Sequence, residues 1–545
     1  MARPITEKRG SGRLALWAML AALSVILLAP LLITDVPPVL DYPNHLARLV
    51  LLAAGTNDTV LGPVFAPDWT IIPNLAGDVI GLTLLHLLPV HAAGRCLLGG
   101  ILLLNLAGVL ALHRAYFGHR SFWPLGSSLV AYNCTFLLGF MNWQISSGLA
   151  MLCAAGWLIW RERRPVATIS AAMVAAILLF FCHLMGLAFF LVLIASAELR
   201  AMRDLRAVVI RCAGLLAVLV APIVLAMHTI LHDTQAAPHW PRLDVKLVNA
   251  ASPFINYVFP LDMISAGLVY GSIALGVAVG WLVVTPRAVA ALVLLPVAYF
   301  VLPFDLMSAS FLDMRFAVMF GFLLFAAVDP APQHVPITGE AAASGRVMRL
   351  VPRRDTRAYR IAAVGYAVLF AVRMATLADV WTDQRRDIAE LRAVIAAVPP
   401  GAKVFFTNIP QEEAPAYWDA GPRSRRLSNG LRADYHLPAL LLIERGAFWP
   451  VLFANPAQQP IRLQPAYAKL AREAHDIPSH ARLVGDPDSA LPALCDFDFV
   501  LMLEAGADPD LANFIPACLA LEARSDFAAL FRVLRDSPAC GSQAK

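Results

Sequence analysis

Carboxylates are unevenly placed along this chain of 545 residues. The stretch after the first apolar run carries Asp35, Asp41, Asp58, Asp68 and Asp78 against one Arg or Lys, Arg48. From Leu14 to Ala378, by contrast, no Asp or Glu falls near the middle of any predicted helix. Carriers coupled to ions or protons keep a titratable or coordinating group at mid-depth, so this distribution argues against coupled transport. In Thr34-Asp35-Val36-Pro37-Pro38-Val39-Leu40-Asp41-Tyr42-Pro43-Asn44-His45-Leu46-Ala47-Arg48 two prolines bend the chain, and an amphipathic helix is predicted from Tyr42. Asp41 is then the N-cap, with His45 one turn on. The pair reads either as a cap beside a histidine packed on headgroups, or as a working carboxylate with a histidine that assists it or shares a metal ion.

Other candidates are more scattered. Arg315, in Phe311-Leu312-Asp313-Met314-Arg315-Phe316, stands at the end of a predicted span. There a guanidinium either binds a ligand or snorkels to lipid phosphate. Arg373, near the end of the last span, reads as structural, and His183 as a satisfied polar group between helices. Asp305 and Asp313 read as solvated loop acids. His228, His232 and His239 match no metal-binding spacing and read as a wet loop. Cys495, Cys518 and Cys540 show no CxxC or zinc pattern, and three thiols leave one unpaired.

The elements that must position these groups follow from composition. The chain is 59% hydrophobic and 15% charged, with a mean hydropathy of +0.66. A soluble domain is about half apolar and about a quarter charged, so a soluble enzyme, a disordered scaffold and a fibre are excluded. The net charge of +5 is small, and the basic residues cluster between apolar runs, which excludes nucleic-acid binding. Apolar runs at 14–33, 94–112, 122–140, 143–160, 166–182, 184–199, 206–229, 262–285, 288–304, 314–329 and 358–379 predict eleven spans. Arg- and Lys-rich loops belong in the cytoplasm. Eleven spans place Arg114, Arg120, Arg161, Arg163, Arg164, Arg200, Arg203, Arg206, Arg287, Arg346, Arg349, Arg353, Arg354, Arg357 and Arg360 on one side. The solution requires that 71–90, with Pro73, Asn74, Asp78, His86 and Pro89, lie at the interface instead of crossing. It also divides 166–199 into two helices near His183. The N-terminus is then cytoplasmic, and the loop 34–93 and everything after residue 380 are outside, in the periplasm if the cell is bacterial.

The expected fold is therefore a polytopic α-helical membrane protein with a C-terminal α/β periplasmic domain, divided into 1–379 and 380–545. Ala402–Thr407 and Phe497–Leu503 read as strands, and Pro465–His475 as a helix. This layout, with Asp41-Tyr42-Pro43-Asn44-His45-Leu46-Ala47-Arg48 just after the first span, resembles the GT-C superfamily of integral-membrane glycosyltransferases. The resemblance implies an inverting enzyme that moves a sugar from a polyprenyl-phosphate donor to an envelope glycan, lipid or protein. It works on the outer face of the inner membrane, with a divalent metal as a candidate cofactor. It implies Asp41 as the base, Asp35 as its reserve, and Arg315, then Arg373, as the cation for the phosphate. His45, Asn142 and Gln144 would hydrogen-bond the substrate, and Trp143 would stack on the sugar, although an interfacial aromatic belt explains Trp143 equally well. Trp449 to Pro456 would help to hold an acceptor. The rival readings are a flippase for lipid-linked glycans and a non-catalytic assembly factor.

Overall fold

The computed structural model describes residues 6–228, 237–306, 310–331, 356–407, 425–472, 494–504 and 518–537. Among them, seven helices are long and apolar enough to cross a membrane. These are α1 (Thr6–Leu28), α4 (Val90–Phe117), α6 (Met141–Trp160), α7 (Pro165–Cys182), α9 (Leu205–His228), α11 (Phe259–Ala278) and α14 (Thr356–Ile395). Shorter helices are α8 (Leu184–Leu199), α12 (Val289–Val301) and α13 (Leu312–Ala327). The remaining helices used below are α2 (Tyr42–Ala54), α3 (Ala76–Leu85), α5 (Cys134–Leu137), α10 (Leu243–Asn249) and α16 (Pro465–Ala468). Leu205, Leu216, Ile264, Leu275, Val293, Val301, Ile361 and Val364 are exposed around the bundle, as lipid-facing positions are.

Polar contacts reveal two ends. At one, His91 at the start of α4 meets Glu444 at 3.0 Å, and Arg392 near the end of α14 bonds both Glu444 and Asp35. At the other, His113 near the end of α4 meets Asp329 just beyond α13. Here Arg211 ties Glu162 to Glu198, Ser196 Oγ donates to the Arg287 carbonyl, and Tyr359 Oη donates to Trp281. Arg161, Arg211 and Arg287 thus gather at the end opposite Asp35 and α2. The short strands β2 (Leu282–Val284) and β3 (Val328–Pro330) also pair there.

The run 122–140 is not the regular helix its hydropathy predicts. It is a 3-10 helix (Trp123–Val130) followed by the four-residue α5. Pro124, Gly126 and Gly139 explain the break, since hydropathy does not register helix breakers. Non-helical backbone survives at membrane depth only inside protein, and the residues from Pro124 to Gly139 are almost all buried. Asn133 Oδ1 accepts from Phe136 N, Thr135 Oγ1 and Gln144 Nε2, and Asn133 Nδ2 donates to Val130 O. Asn105 Nδ2 extends this network to Gln144. The run 166–199 divides at His183, whose Nδ1 accepts from Met185 N and caps α8. The stretch 71–90 contains only the ten-residue α3, about 15 Å of helix and so too short to cross.

After α14 the described chain builds a four-stranded sheet in the order β4 (Val404–Thr407), β6 (Phe499–Leu503), β8 (Ala528–Val533), β7 (Leu519–Arg524). The first pair is parallel and the others antiparallel. Strand β1 (Phe65–Pro67) of the first loop pairs with β5 (Ile461–Leu463), stitching that loop to the C-terminal region. The helix expected over 465–475 ends at Ala468. Cys495 is disulfide-bonded and Cys518 is free, while Cys540 lies outside the described residues.

Because Asn133 answers four groups inside the bundle, Asn133→Ala takes the acceptor from the Thr135 hydroxyl and the donor from the Val130 carbonyl, and leaves Gln144 Nε2 and the Phe136 amide with one acceptor each in place of two. The expected loss is about 1–3 kcal/mol, read as a lower thermal midpoint in detergent. An unchanged midpoint contradicts the bracing role.

Candidate active site

Asp41 is delivered to its position by backbone. Leu40 N donates to Leu137 O at 2.8 Å and Asp41 N to Leu138 O at 3.2 Å, so the chain leaving α1 is pinned to the turn after α5. Gly139 occupies the left-handed region at φ +85°, and a Cβ built there would stand 2.7 Å from Asp41 N and 2.8 Å from Asp41 Cβ. Glycine is required at this position on both counts. Asp41 does fall at the N-cap of α2, but its side chain makes no cap bond. Two causes are visible. Its backbone is helical (φ −82°, ψ −9°), where a capping side chain needs an extended one, and Pro43 removes one of the amides a cap would satisfy. The carboxylate is thereby free to face elsewhere.

What it faces is a corner rich in positive charge. Arg315 in the first turns of α13 and Arg48 in α2 both act electrostatically on Asp41. Burial nevertheless dominates and pushes the Asp41 carboxyl up to about 7. Arg315 is buried, forms no ion pair among the described residues, and has no partner for its Nε; its guanidinium lies 4.8 Å from the centre of the Phe140 ring. Arg48 holds Asp78 through Nε (2.8 Å) and Nη2 (3.1 Å) but leaves Nη1 without a partner. His436 Nε2 is 3.4 Å from Asp41 Oδ1, the only ionisable contact of Asp41 within 4 Å among the described residues. His183 is close enough to Arg315 for the two to interact electrostatically.

His45 stands beside this corner as a brace. Its Nδ1 lies 2.9 Å from Arg48 Nη2, which can only donate, and its ring bonds the Gly139 carbonyl. Burial, then Arg48 and His436, hold this ring well below the ordinary histidine range. A neutral imidazole has one lone pair, and Arg48 takes it, so His45 and Asp41 do not fit as a metal-binding pair. Among the described residues no group of three or more His, Cys, Asp or Glu is arranged to hold a metal ion.

Several sequence candidates lie outside this corner. Asp35 bonds Arg392 through both oxygens at 3.1 and 2.6 Å. Burial raises its carboxyl, but Arg392 outweighs that and holds it below the usual range. Arg373 bonds Asp262, Ser265 and the Phe254 carbonyl, so its guanidinium is occupied inside the bundle. Asn142 Oδ1 accepts from Gly77 N and its Nδ2 donates to Asn74 O, anchoring α3. Trp143 is wholly enclosed and presents no face for a sugar. Asp313, expected to be solvated, is buried at 3.3 Å from Lys246, whose Nζ also donates to carbonyls at the end of α12. Asp305 is half-buried beside His239. Of the other loop histidines, His232 and the side chain of His228 lie outside the described residues. In the Trp449–Pro456 stretch, Phe453 reaches the site, with its ring 5.6 Å from His45 and 5.1 Å from His436. His436 went unnoticed in the sequence because no spacing links it to Asp41, 395 positions earlier.

A carboxyl raised by burial beside a guanidinium that has no ion pair among the described residues sits at one end of the helical bundle, against the sheet-bearing C-terminal region. Two solved structures share the fold along nearly the whole chain, both of ArnT from Cupriavidus metallidurans. The structure bound to undecaprenyl phosphate has a TM-score of 0.50 at 12% identity and covers 94% of this chain and 97% of that one. The apo structure has a TM-score of 0.51 at 12% identity, covering 96% and 98%. No protein-family model matches the sequence, and neither does any curated protein.

The raised Asp41 carboxyl has a thermodynamic consequence. Its folded pKa lies above the unfolded one, so the group favours the folded state at low pH and that contribution disappears as pH rises through about 7. Asp41→Asn removes the charged form. The variant is expected to gain thermal midpoint over wild type at pH 8 and to gain less at pH 5. A gap independent of pH contradicts the assignment.

Proposed function

We propose that this chain is a GT-C-type membrane glycosyltransferase that moves a sugar from a polyprenyl-phosphate donor to a hydroxyl of a cell-envelope glycan, lipid or protein. The observation that carries the reading is the Asp41 corner, where a half-buried carboxylate, touched by His436 but not closed on any arginine, faces a buried Arg315 that has no ion pair among the described residues. The likeness to ArnT, one of whose structures holds undecaprenyl phosphate, supports the donor class.

The chemistry suits the groups present. Asp41, when ionised, accepts the proton of the acceptor hydroxyl as its oxygen attacks the anomeric carbon. The bond from that carbon to the phosphate oxygen breaks, and polyprenyl phosphate leaves with the electron pair. Arg315, with its free Nε, receives the phosphate charge, and the unpartnered Nη1 of Arg48 adds a second donor. Attack from the face opposite the leaving group inverts the sugar carbon. Asp35 serves as a structural anchor to Arg392 in this reading.

In the same reading the chain crosses the membrane eleven times. The passes are the seven long helices, then α8, α12 and α13, and the buried stretch 123–139. The basic end is cytoplasmic with the N-terminus, and the Asp41 end is periplasmic. The clustered arginines support this orientation, as does the disulfide at Cys495, since disulfides persist in oxidising compartments. Residues 1–379 form the membrane module and 380–545 the outer domain.

Transfer from a synthetic polyprenyl-phosphate sugar to envelope extract tests the reading. Asp41→Asn is expected to lose about 10²–10⁴-fold in rate while remaining folded, and wild-type turnover is expected to rise with pH through about 7. Full activity in Asp41→Asn removes this residue from the mechanism. Mass spectrometry of lipid carried through purification is expected to find a polyprenyl phosphate in wild type and less in Arg315→Gln.

A further inference from the structure

Asn44, in the first turn of α2, bonds the C-terminal region. Its Oδ1 accepts from Phe453 N at 2.8 Å, and its Nδ2 donates to Val451 O at 2.8 Å. An amide carbonyl alone accepts and an amide nitrogen alone donates, so these two backbone bonds fix which way the Asn44 side chain points. The same Nδ2 lies 3.2 Å from His436 Nδ1. A nitrogen that receives a donor carries no proton, so in the neutral ring the proton sits on Nε2. That nitrogen faces Asp41 Oδ1.

The ring is held from every other side. Tyr435, Trp449 and Phe453 pack edge-on around it, with centroids 5.4, 5.7 and 5.1 Å away. The backbone presenting it is tied by Arg432, which bonds both oxygens of Asp434 and one of Glu504. Leu437 N then donates to Asp434 O. Buried ion pairs of this kind specify geometry more than they add stability.

We propose that His436 is the positioning residue for Asp41: its Nε2–H, aimed by Asn44, sets where the carboxylate points and favours its charged form. The role rests on the reading of Asp41 as the base. It makes the C-terminal region a working part of the membrane site, since the donor arrives from a loop beyond α14. Burial presses the His436 ring down to about 3, so it stays neutral, with the proton on Nε2, throughout the working range. The other charged and titratable groups facing Asp41 are Arg315 from α13 and Arg48 from α2, with His45 beside them and His183 behind Arg315.

The test separates this role from the reaction itself. Infrared pH-difference spectra of the purified full-length protein, with Asp41→Asn as the reference, isolate the carboxyl band of Asp41 and its titration midpoint. Loss of a donor to the charged form in His436→Phe is expected to raise proton affinity by about threefold to tenfold. The acid limb of the transfer rate should move up with it, with kcat falling and KM for the donor little changed. His436→Gln, which restores a donor near the Nε2 position, is expected to bring the midpoint back toward wild type. Where His436→Phe does not accumulate, His436→Asn, which places no donor there, takes its place. Equal Asp41 midpoints in the wild type and the donorless variant overturn the proposal, even if transfer is observed. A shifted midpoint sustains it, and does so even where no polyprenyl-phosphate sugar is turned over, a result that counts against the transferase reading alone.

Discussion

A half-buried carboxylate and a buried guanidinium that feel each other's charge and are not bonded to each other must be held apart by everything around them. Asp41 and Arg315 are such a pair. Left to themselves, two buried opposite charges close into an ion pair, because each is costly to bury alone. The protein does this elsewhere. Arg48 closes on Asp78, Arg373 on Asp262, Arg432 on Asp434 and Lys246 on Asp313. Those pairs are scaffold, and the unclosed one is where a ligand would complete the charge balance.

The scaffold's work is to keep that gap open. The backbone of Leu40 and Asp41 is bonded to Leu137 and Leu138, and Gly139 lets the two segments touch. Pro43 and the helical backbone at Asp41 prevent the side chain from turning inward to cap α2. On the far side, Phe140 supports the Arg315 guanidinium from below. Tyr257 donates to Pro38 O and receives a bond from Trp381 Nε1, so α14 holds the loop that leads into Asp41. The irregular stretch from Trp123 to Leu137 is part of the same device. A regular helix there would end in a different register and would not bring Gly139 against Asp41. Its cost in broken backbone hydrogen bonds is offset by Asn133, Gln144 and Asn105.

How far this was legible in the sequence depends on the length scale. Apolar run length and arginine placement are long-range compositional signals, and they led to the bundle with its two ends and to an α3 too short to cross. Asp41 stood out because an acid just past a first span has few local uses besides capping, and Arg315 because a charge near a span end needs a reason; the structure brings the two into one corner. Asn142 reads as a ligand group because a polar residue in a turn looks the same whether it meets a substrate or, as here, the backbone at the start of α3, while Trp143, for which stacking and an aromatic belt read equally well, is enclosed in the bundle. Asp313 was misread as solvated because its partner Lys246 lies 67 positions away in α10. The same reason hid His436. Chemistry assembled by tertiary contact, with the donor and the carboxylate 395 positions apart in the chain, leaves no periodicity for a sequence to carry.

The most direct measurement is a structure of the full-length protein with a polyprenyl phosphate bound. The account requires the phosphate to lie within hydrogen-bonding distance of the Arg315 guanidinium, on the side facing Asp41, with the isoprenoid tail running down the outside of the bundle. A phosphate bound at the arginine-rich opposite end, with Arg315 and Asp41 drawn together into an ordinary ion pair, would contradict it.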